Sequence, residues 1–200
     1  MKTAALQMIS TSDVATNLAR AQALVAQASA QGAELVVLPE YFCLMGRREH
    51  DKVAIAETWG SGPLQDALAQ TAQRHGVWLV AGTLPLHSDD PARVRNSTLV
   101  FSPQGHCVAR YDKIHLFCFD NGQERYDEGV VLQAGDSPTA FDLCDRSGQT
   151  WRVGLSICYD LRFPELYRQL AADILLVPAA FTYTTGQAHW EVLLRARAIE

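Results

Sequence analysis

The chain has 200 residues, 48% of them hydrophobic, with 17 basic and 22 acidic side chains for a formal net charge of −5. A chain of this length and composition can bury a sizeable core, and no linker-like stretch divides it, so we expect one domain over residues 1–200. The sequence has no basic run that could follow a phosphate backbone, which argues against nucleic acid as a partner.

The sequence has no stretch close to the ~20 apolar residues that span a bilayer. Its start, MKTAALQMIS, is too short and too polar for a signal-peptide core. We therefore expect a cytoplasmic protein without a membrane partner. The five cysteines are scattered, with no Cys-x-x-Cys and no paired Cys/His spacing, so we expect no disulfide framework, metal site or cofactor.

The first part of the chain predicts a β-α-β unit. The segment TAALQMI at residues 3–9 favours a strand, and Ser12 or Asp13 can cap the helix that follows. The apolar run AELVVLP at residues 33–39 then predicts a buried strand that ends at Glu40. A carboxylate thus lies at a strand exit, where open sheets place their chemistry.

The helix and strand alternation continues after an irregular segment. Residues 41–59 predict either a loop that lines a pocket or a solvated surface loop. Gly62-Pro63 then opens a second helix, Gly76 closes it, and VWLVAGTL at residues 77–84 predicts a second buried strand.

From residue 97 onward the pattern favours hairpins. STLVF and HCVARY flank the turn residues 102–105 and lead to Lys113, while TAFDLC and QTWRVGLSI form a second pair that leads to Cys158. A polar, glycine-bearing loop at residues 120–136 separates the two pairs. A loop of this length in a compact domain is usually functional or mobile.

Cys158 lies in the stretch WRVGLSICYDLRFPELYR, between a buried strand and a helix start marked by Pro164. A cysteine at such a junction is near unpaired backbone N–H groups and the positive end of a helix dipole, so we expect a lowered thiol pKa. A buried core thiol is the alternative. Glu40 and Lys113 also lie at or near strand exits, although the pattern around each residue alone favours a solvated loop charge.

Taken together, these residues resemble the Glu-Lys-Cys triad of the nitrilase superfamily of carbon-nitrogen hydrolases. The motifs are Leu38-Pro39-Glu40, Asp112-Lys113 and Cys158-Tyr159-Asp160, in the family's order across essentially the whole chain. The resemblance implies an α/β fold, a four-layer α-β-β-α sandwich whose C-terminal strands are absent from these 200 residues. It also implies a homodimer or higher homo-oligomer formed through the helices that flank the cysteine strand.

The resemblance assigns a role to each triad residue. Cys158 is the nucleophile, Glu40 is the base that later acts as an acid, and Lys113 stabilises the oxyanion together with the backbone N–H of Tyr159. A second glutamate supports the triad in this family. Glu128 matches that position best and Glu124 is the weaker candidate, while a solvent-facing loop acid is the alternative.

Arg162 and Thr185 are candidate substrate-binding residues. A guanidinium four residues after the nucleophile can hold a substrate carboxylate bidentately, and an ion pair between Arg162 and Glu165 is the alternative. We interpret His115 as a structural histidine. Asp160 and Glu165 are expected to pair with the arginines nearby.

The sequence CYDLRFPE, with the segment from His189 to Ala198, is most similar to the Nit-type amidase branch, and closer to deaminated glutathione amidases than to omega-amidases. This similarity implies hydrolysis of a small, carboxylate-bearing linear amide through a cysteine thioester, with release of ammonia, in metabolite repair. Two alternatives stay open. One is an N-carbamoyl-amine or aliphatic amide hydrolase with the same triad, and the other is a non-catalytic binding or regulatory subunit.

One internal similarity stands out. Residues 33–40, AELVVLPE, resemble residues 172–179, ADILLVPA, which predicts two similar α-β units. Only the first segment ends in a carboxylate, so Glu40 does more than finish a strand.

Overall fold

The computed structural model describes residues 1–120, 122–123 and 125–200. A six-stranded sheet forms its first half. Its strands are β1 (Thr3–Ala5), β2 (Leu35–Val37), β3 (Trp78–Val80), β4 (Leu84–His87), β5 (Val94–Phe101) and β6 (Cys107–Asp112). They lie in the order β1-β2-β3-β5-β4, with β6 also paired with β5. The pairs β1·β2 and β2·β3 are parallel, and the pairs that involve β5 are antiparallel.

Two helices cover the outer face of this sheet, α1 (Val14–Ala30) and α3 (Pro63–His75), with the short α2 (Asp51–Ala54) between them in sequence. The Asp13 side chain caps α1 by accepting from the backbone N–H of Thr16 at 2.7 Å. Gly76 ends α3 in the left-handed conformation with φ 58°. Both predicted helices and their caps are therefore present.

A second sheet of three strands has the order β11-β10-β9. Strands β9 (Ala140–Cys144) and β10 (Thr150–Leu155) form the predicted antiparallel hairpin, and β11 (Ile174–Leu176) pairs with β10 in parallel. The helices α4 (Pro164–Leu170) and α5 (Tyr183–Ile199) follow β10 and β11 in the chain. A separate ribbon of β7 (Cys118–Asp120) and β8 (Arg125–Asp127) precedes the second sheet.

Two buried clusters hold these layers together. Val36 belongs to the cluster that contains the apolar side chains of α1 and α3, whereas Leu35 and Val37 belong to the cluster shared with the second sheet, α4 and α5. This alternation along β2 follows from the two-residue period of a strand, which sends successive side chains to opposite faces. The order of layers is α-β-β-α, and the predicted α/β fold is confirmed.

The predicted strand at residues 77–84 is divided into β3 and the start of β4. Gly82 lies between them with φ 54°, and a Cβ atom there would overlap the carbonyl oxygen of Pro39. Only glycine permits this approach, because any side chain would collide with the chain that leads to Glu40. The break in the strand therefore brings its backbone against the end of β2.

Candidate active site

Four ionisable side chains meet where strands of both sheets end. Glu40 follows β2 by three residues, Lys113 follows β6 directly, and Cys158 follows β10 by three residues. Glu128 starts the 3-10 turn Glu128–Val130 after β8. The structure thus brings the three residues of the predicted triad and the predicted supporting glutamate together from four separate segments.

Lys113 lies between the two carboxylates. Its Nζ atom is 3.1 Å from Oε1 of Glu40 and 2.8 Å from Oε2 of Glu128, and the side chain is 1% exposed. Burial alone would lower the pKa of Lys113, but the negative charges of Glu40 and Glu128 raise it above its ordinary value. The site therefore keeps an ammonium cation next to the sulfur.

Glu40 is held by donors from both halves of the molecule. The Nδ2 group of Asn96 in β5 donates to Oε1 at 3.0 Å, and the backbone N–H of Ala180 donates to Oε2 at 2.8 Å. Sequence reasoning missed both donors. The strand that carries Asn96 also contains Arg95, Ser97 and Thr98, so its sequence does not single out Asn96, and a backbone N–H such as that of Ala180 leaves no sequence signal.

Glu128 is fixed at the other side of Lys113. It accepts from the hydroxyl of Tyr41 at 2.9 Å and from the backbone N–H of Phe117 at 2.7 Å. Burial raises the pKa of Tyr41, and the charges of Glu40 and Glu128 raise it further, so the hydroxyl keeps its proton and donates. The alternative candidate, Glu124, lies outside the described residues.

Cys158 occupies a strained turn. Its φ is 50°, in the left-handed region that residues with a side chain rarely adopt, and the turn leads from β10 into the 3-10 helix Cys158–Arg162. Its backbone N–H donates to the carbonyl of Pro178 at 2.9 Å. A sharp strand-to-helix turn of this kind presents a nucleophile at the top of a sheet.

The expectation that the pKa of the Cys158 thiol is lowered is wrong. Burial raises the pKa of Cys158 well above its usual value and the neighbouring Glu40 carboxylate adds to the rise, while Lys113 opposes it. Desolvation outweighs the helix start because the thiolate would lose its water in this enclosed position. The resting sulfur is therefore a thiol beside the Glu40 carboxylate, and it needs a base to become a nucleophile.

A cavity of about 320 Å³ opens onto Cys158. Tyr159 and Thr185 line it, as predicted for substrate-binding residues, and so do residues from the irregular segment 41–59, which therefore lines a pocket. Aromatic, basic and acidic side chains also line the wall: Phe117, Tyr126, Phe181, Arg48, Lys52, Arg125, Glu49 and Asp127.

Arg162 does not line this cavity. One of its guanidinium nitrogens is 2.8 Å from Nδ1 of His189, and the group lies over the Tyr159 ring at 5.8 Å. The alternative ion pair with Glu165 is not among the ion pairs of the described residues. Its predicted contact with a substrate carboxylate stays a prediction.

Asp160 does not pair with a nearby arginine, contrary to expectation. Its carboxylate binds Tyr111 and His115, which lie far back in the chain, because the end of β6 packs beside the cysteine turn. The His115 ring also stacks on Phe163 with centroids 3.6 Å apart. These contacts agree with the interpretation of His115 as a structural histidine.

In the described part of the chain, no helix is long and apolar enough to cross a membrane. Across those same residues, no group of three or more His, Cys, Asp and Glu side chains could hold a metal ion.

Comparison with known proteins adds to this geometry. Residues 2–200 match the family model described as carbon-nitrogen hydrolase. The chain is 41% identical over 207 residues to a deaminated glutathione amidase of Yersinia enterocolitica, and the match covers 98% of this chain and 68% of that protein. It is 37% identical over 202 residues to the human omega-amidase NIT2, with 98% of this chain and 70% of that protein covered.

The fold also superposes on the crystal structure of the Caenorhabditis elegans NitFhit protein with a TM-score of 0.81 at 34% identity. This match covers 99% of the present chain but 49% of the NitFhit chain. The chain thus spans about half of that protein and about two thirds of the Yersinia relative. The resemblance inferred from the three motifs is confirmed.

Proposed function

Since this chain belongs to the carbon-nitrogen hydrolase family, we propose that it hydrolyses a small, carboxylate-bearing linear amide through a thioester on Cys158. One observation carries the proposal: a buried ammonium, Lys113, lies in contact with a buried carboxylate, Glu40, beside a thiol at a cavity. Amide cleavage needs a nucleophile, a group that takes and returns a proton, and a cation for the oxyanion. The names of the relatives, deaminated glutathione amidase and omega-amidase, support the same reaction class.

In the first half of the reaction, Glu40 takes the proton of the Cys158 thiol and the sulfur attacks the amide carbon. The carbonyl oxygen becomes an oxyanion, which the Lys113 ammonium and the backbone N–H of Tyr159 stabilise. Tyr159 lies in the first turn of the 3-10 helix, where a backbone N–H has no acceptor within the helix. Because Lys113 is already charged and fixed by two carboxylates, little reorganisation is needed.

In the second half, protonated Glu40 gives its proton to the nitrogen as the carbon–nitrogen bond breaks, and a thioester remains on Cys158. Glu40 then takes a proton from water, which attacks the thioester carbon. As the carbon–sulfur bond breaks, Glu40 returns that proton to the sulfur, so the acid leaves and the Cys158 thiol is restored. The leaving group is ammonia for a primary amide and an amine for a secondary amide, such as a linkage derived from glutathione. An assay that follows ammonia alone would therefore miss part of the substrate class.

Cationic side chains around the cavity support a substrate with a carboxylate. Arg48, Lys52 and Arg125 line its wall, where Lys52 pairs with Glu49 at 2.6 Å and Arg125 with Asp127 at 3.4 Å. Arg162 lies against His189 outside the cavity. Arg125→Ala and Arg162→Ala distinguish the two possible anchors. The variant that loses the anchor should show a raised KM for a carboxylate-bearing amide and an unchanged KM for the neutral analogue.

The decisive experiment is a substrate panel with two readouts. Deaminated glutathione, alpha-ketoglutaramate, carbamoyl amino acids and simple aliphatic amides are each incubated with the protein, and released amine and ammonia are measured. Mass spectrometry then looks for an acyl adduct on Cys158. We expect turnover of a carboxylate-bearing amide, with turnover and adduct lost in Cys158→Ala and kept in Cys144→Ala, which changes an exposed cysteine.

A preference for carbamoyl amino acids or simple amides would favour the alternative enzyme, an N-carbamoyl-amine or aliphatic amide hydrolase that uses the same triad. Absence of both turnover and adduct across the panel would overturn the proposal and favour a binding or regulatory subunit.

The role of Lys113 needs a variant that stays folded. Lys113→Ala should lose about 10²- to 10³-fold in turnover, the cost of removing an oxyanion donor. It also leaves two carboxylates without their shared cation, which should lower the free energy of unfolding by about 3–5 kcal/mol. Lys113→Ala combined with Glu128→Gln removes one of those charges, and comparison of its turnover per folded molecule with that of Glu128→Gln alone isolates the role of Lys113 in catalysis.

We also propose a homodimer through the helices that flank the cysteine strand. Tyr183, Val192 and Ile199 of α5 are 81%, 60% and 84% exposed, and a second copy of the chain would bury apolar surface of this kind. Light scattering of the wild type and of Val192→Glu tests this proposal. A monomeric mass for the wild type would contradict it.

A further inference from the structure

Asp160 is a fully buried carboxylate with four hydrogen bonds, and its relative exposure is 0%. Its Oδ2 atom accepts from the hydroxyl of Tyr111 at 2.7 Å and from the backbone N–H of Ile157 at 2.8 Å. Its Oδ1 atom accepts from the backbone N–H of His115 at 3.0 Å and lies 2.7 Å from Nδ1 of the same residue. Each oxygen thus binds one backbone N–H and one side chain.

The positions of these donors relate Asp160 to the site. Tyr111 and His115 each lie two residues from Lys113, one on either side, and Ile157 directly precedes Cys158. One carboxylate therefore fastens the segment that carries the ammonium to the segment that carries the sulfur. Asp160 itself is not among the residues that line the cavity.

We propose that Asp160 is a positioning residue, which sets the distance between the Lys113 ammonium and the Cys158 sulfur by tying their two segments together. This inference rests on the proposed function, because the distance matters only if both groups act on one carbonyl. Such a role is demanding, since a misplacement of about 1 Å caused by a change away from the chemistry can cost about 10²-fold in rate.

The chemistry of the contacts requires a carboxylate at this position. A carboxylate only accepts, and it can satisfy all four donors at once. An asparagine has one oxygen and one NH₂ group, so in either orientation the NH₂ group would face a backbone N–H. The hydroxyl of Tyr111 and the ring of His115 can reverse their roles, but the N–H groups of Ile157 and His115 cannot. Asp160→Asn therefore releases one of the two segments.

If Asp160 contributed only to stability, its burial would be explained, but not which groups donate hydrogen bonds to it. Burying a carboxylate carries a desolvation cost, and within the described residues its one ion-pair partner is His115, which is charged only when protonated. A well-packed apolar residue would hold the core at least as well. The donors, moreover, come from both segments that carry the reacting groups.

The test compares Asp160→Asn with Glu57→Gln. Glu57 is also a buried carboxylate and accepts from the backbone N–H groups of Leu64 and Gln65 at 2.6 and 3.2 Å, but it lies at the start of α3 and does not line the cavity. Both variants lose hydrogen bonds to a buried charge, so urea unfolding measures a comparable loss of stability in each. Turnover is then normalised to the folded fraction.

We expect kcat per folded molecule to fall about 10²-fold in Asp160→Asn with little change in KM, and to be unchanged in Glu57→Gln. Tyr111→Phe, which removes one donor and keeps both backbone contacts, should lose less than Asp160→Asn. Equal kcat values per folded molecule in Asp160→Asn and Glu57→Gln would overturn the inference while leaving the proposed reaction intact.

A second readout needs no turnover. Lys113 lowers the pKa of Cys158, so a larger separation between the two groups should move the pH profile of Cys158 alkylation to higher pH in Asp160→Asn and not in Glu57→Gln. If the wild type hydrolysed no amide, the proposed function would fail, and this profile would still decide whether Asp160 sets the geometry of the pair. An unmoved profile in Asp160→Asn would exclude that role.

Discussion

Two strand ends with similar apolar patterns meet at the candidate site and contribute different groups. Residues 33–40 read AELVVLPE and residues 172–179 read ADILLVPA. The strands β2 and β11 occupy equivalent positions in these segments and have parallel neighbours, but β2 lies inside the first sheet and β11 pairs with β10 in the second. The predicted pair of similar units is thus divided between the two sheets.

The first strand end provides charge and the second provides support. Glu40 supplies the carboxylate, whereas the equivalent position after β11 is Ala179. The backbone around Ala179 makes the polar contacts instead: Pro178 accepts from the N–H of Cys158, and Ala180 donates to Glu40. The same sequence pattern therefore places a carboxylate at the site in one sheet and backbone hydrogen-bonding groups that hold this carboxylate and the cysteine in the other.

The largest effect is expected at the charged strand end. Glu40→Gln keeps the shape of the side chain but removes the base, so turnover should fall about 10²- to 10⁴-fold in steady-state assays. Glu34→Gln is the matched control, because Glu34 is a partly buried carboxylate directly before the same strand, where it accepts from the backbone N–H of Arg146. Similar losses in both variants would contradict the distinct role of Glu40.

A smaller loss is expected at the supporting strand end. Ala180→Pro removes the N–H that binds Glu40, and a hydrogen bond to a charged group is worth about 1.5–3 kcal/mol, on the order of 10- to 100-fold in rate. Ala179→Pro introduces the same ring one residue earlier and keeps that N–H. If the two variants lose turnover equally, distortion of the loop explains the effect and the hydrogen bond does not.

The donor from the first sheet should matter less. Asn96→Ala removes one contact to Oε1 of Glu40, but Lys113 still binds the same oxygen, so we expect a loss in kcat of about tenfold or less. Asn17→Ala provides the comparison, because Asn17 is a buried amide that donates to the Cys43 carbonyl away from the site. A larger loss of turnover in Asn96→Ala than in Ala180→Pro would contradict the expectation that the backbone donor from the second sheet contributes more to holding Glu40 than the side-chain donor from the first sheet.

The smallest effect concerns the pH dependence of Cys158 reactivity. Its pKa is raised first by burial and then by the Glu40 charge, so the thiolate forms only as the pH rises towards that high value. Glu40→Gln removes the second cause. The profile of Cys158 alkylation, followed on its peptide by mass spectrometry, should therefore move to lower pH although turnover is lost. A profile that stays in place would mean that Glu40 does not act on the sulfur.

Local patterns predicted most of the elements of the fold. The cap at Asp13, the stop at Gly76 and the two hairpins each depend on residues within one turn or one strand pair, and the structure contains them all. The divided strand at Gly82 was missed because its cause is the carbonyl of Pro39, which lies more than forty residues away in sequence. Contacts over that distance leave no periodic signal.

The expectations about Asp160 and the Cys158 thiol failed for the same reason. Sequence neighbours suggested arginines as partners of Asp160, but the hydroxyl of Tyr111 and the backbone of His115 reach it from 49 and 45 residues earlier. For the Cys158 thiol, a helix start was expected to lower the pKa, but burial and the Glu40 charge raise it by more. In both cases the deciding groups arrive from another strand.

Strand periodicity and capping residues, which are local properties of the chain, predicted the individual helices and strands. The layered α/β architecture and the ionisable residues at positions 40, 113, 128 and 158 followed from the resemblance of short motifs to the carbon-nitrogen hydrolases. How those residues influence one another depends on their three-dimensional packing. Their pKa directions, the backbone donors at the site and the contacts of Asp160 depend on desolvation and on distances of about 3 Å between atoms far apart in sequence, and only packing of the two sheets sets these.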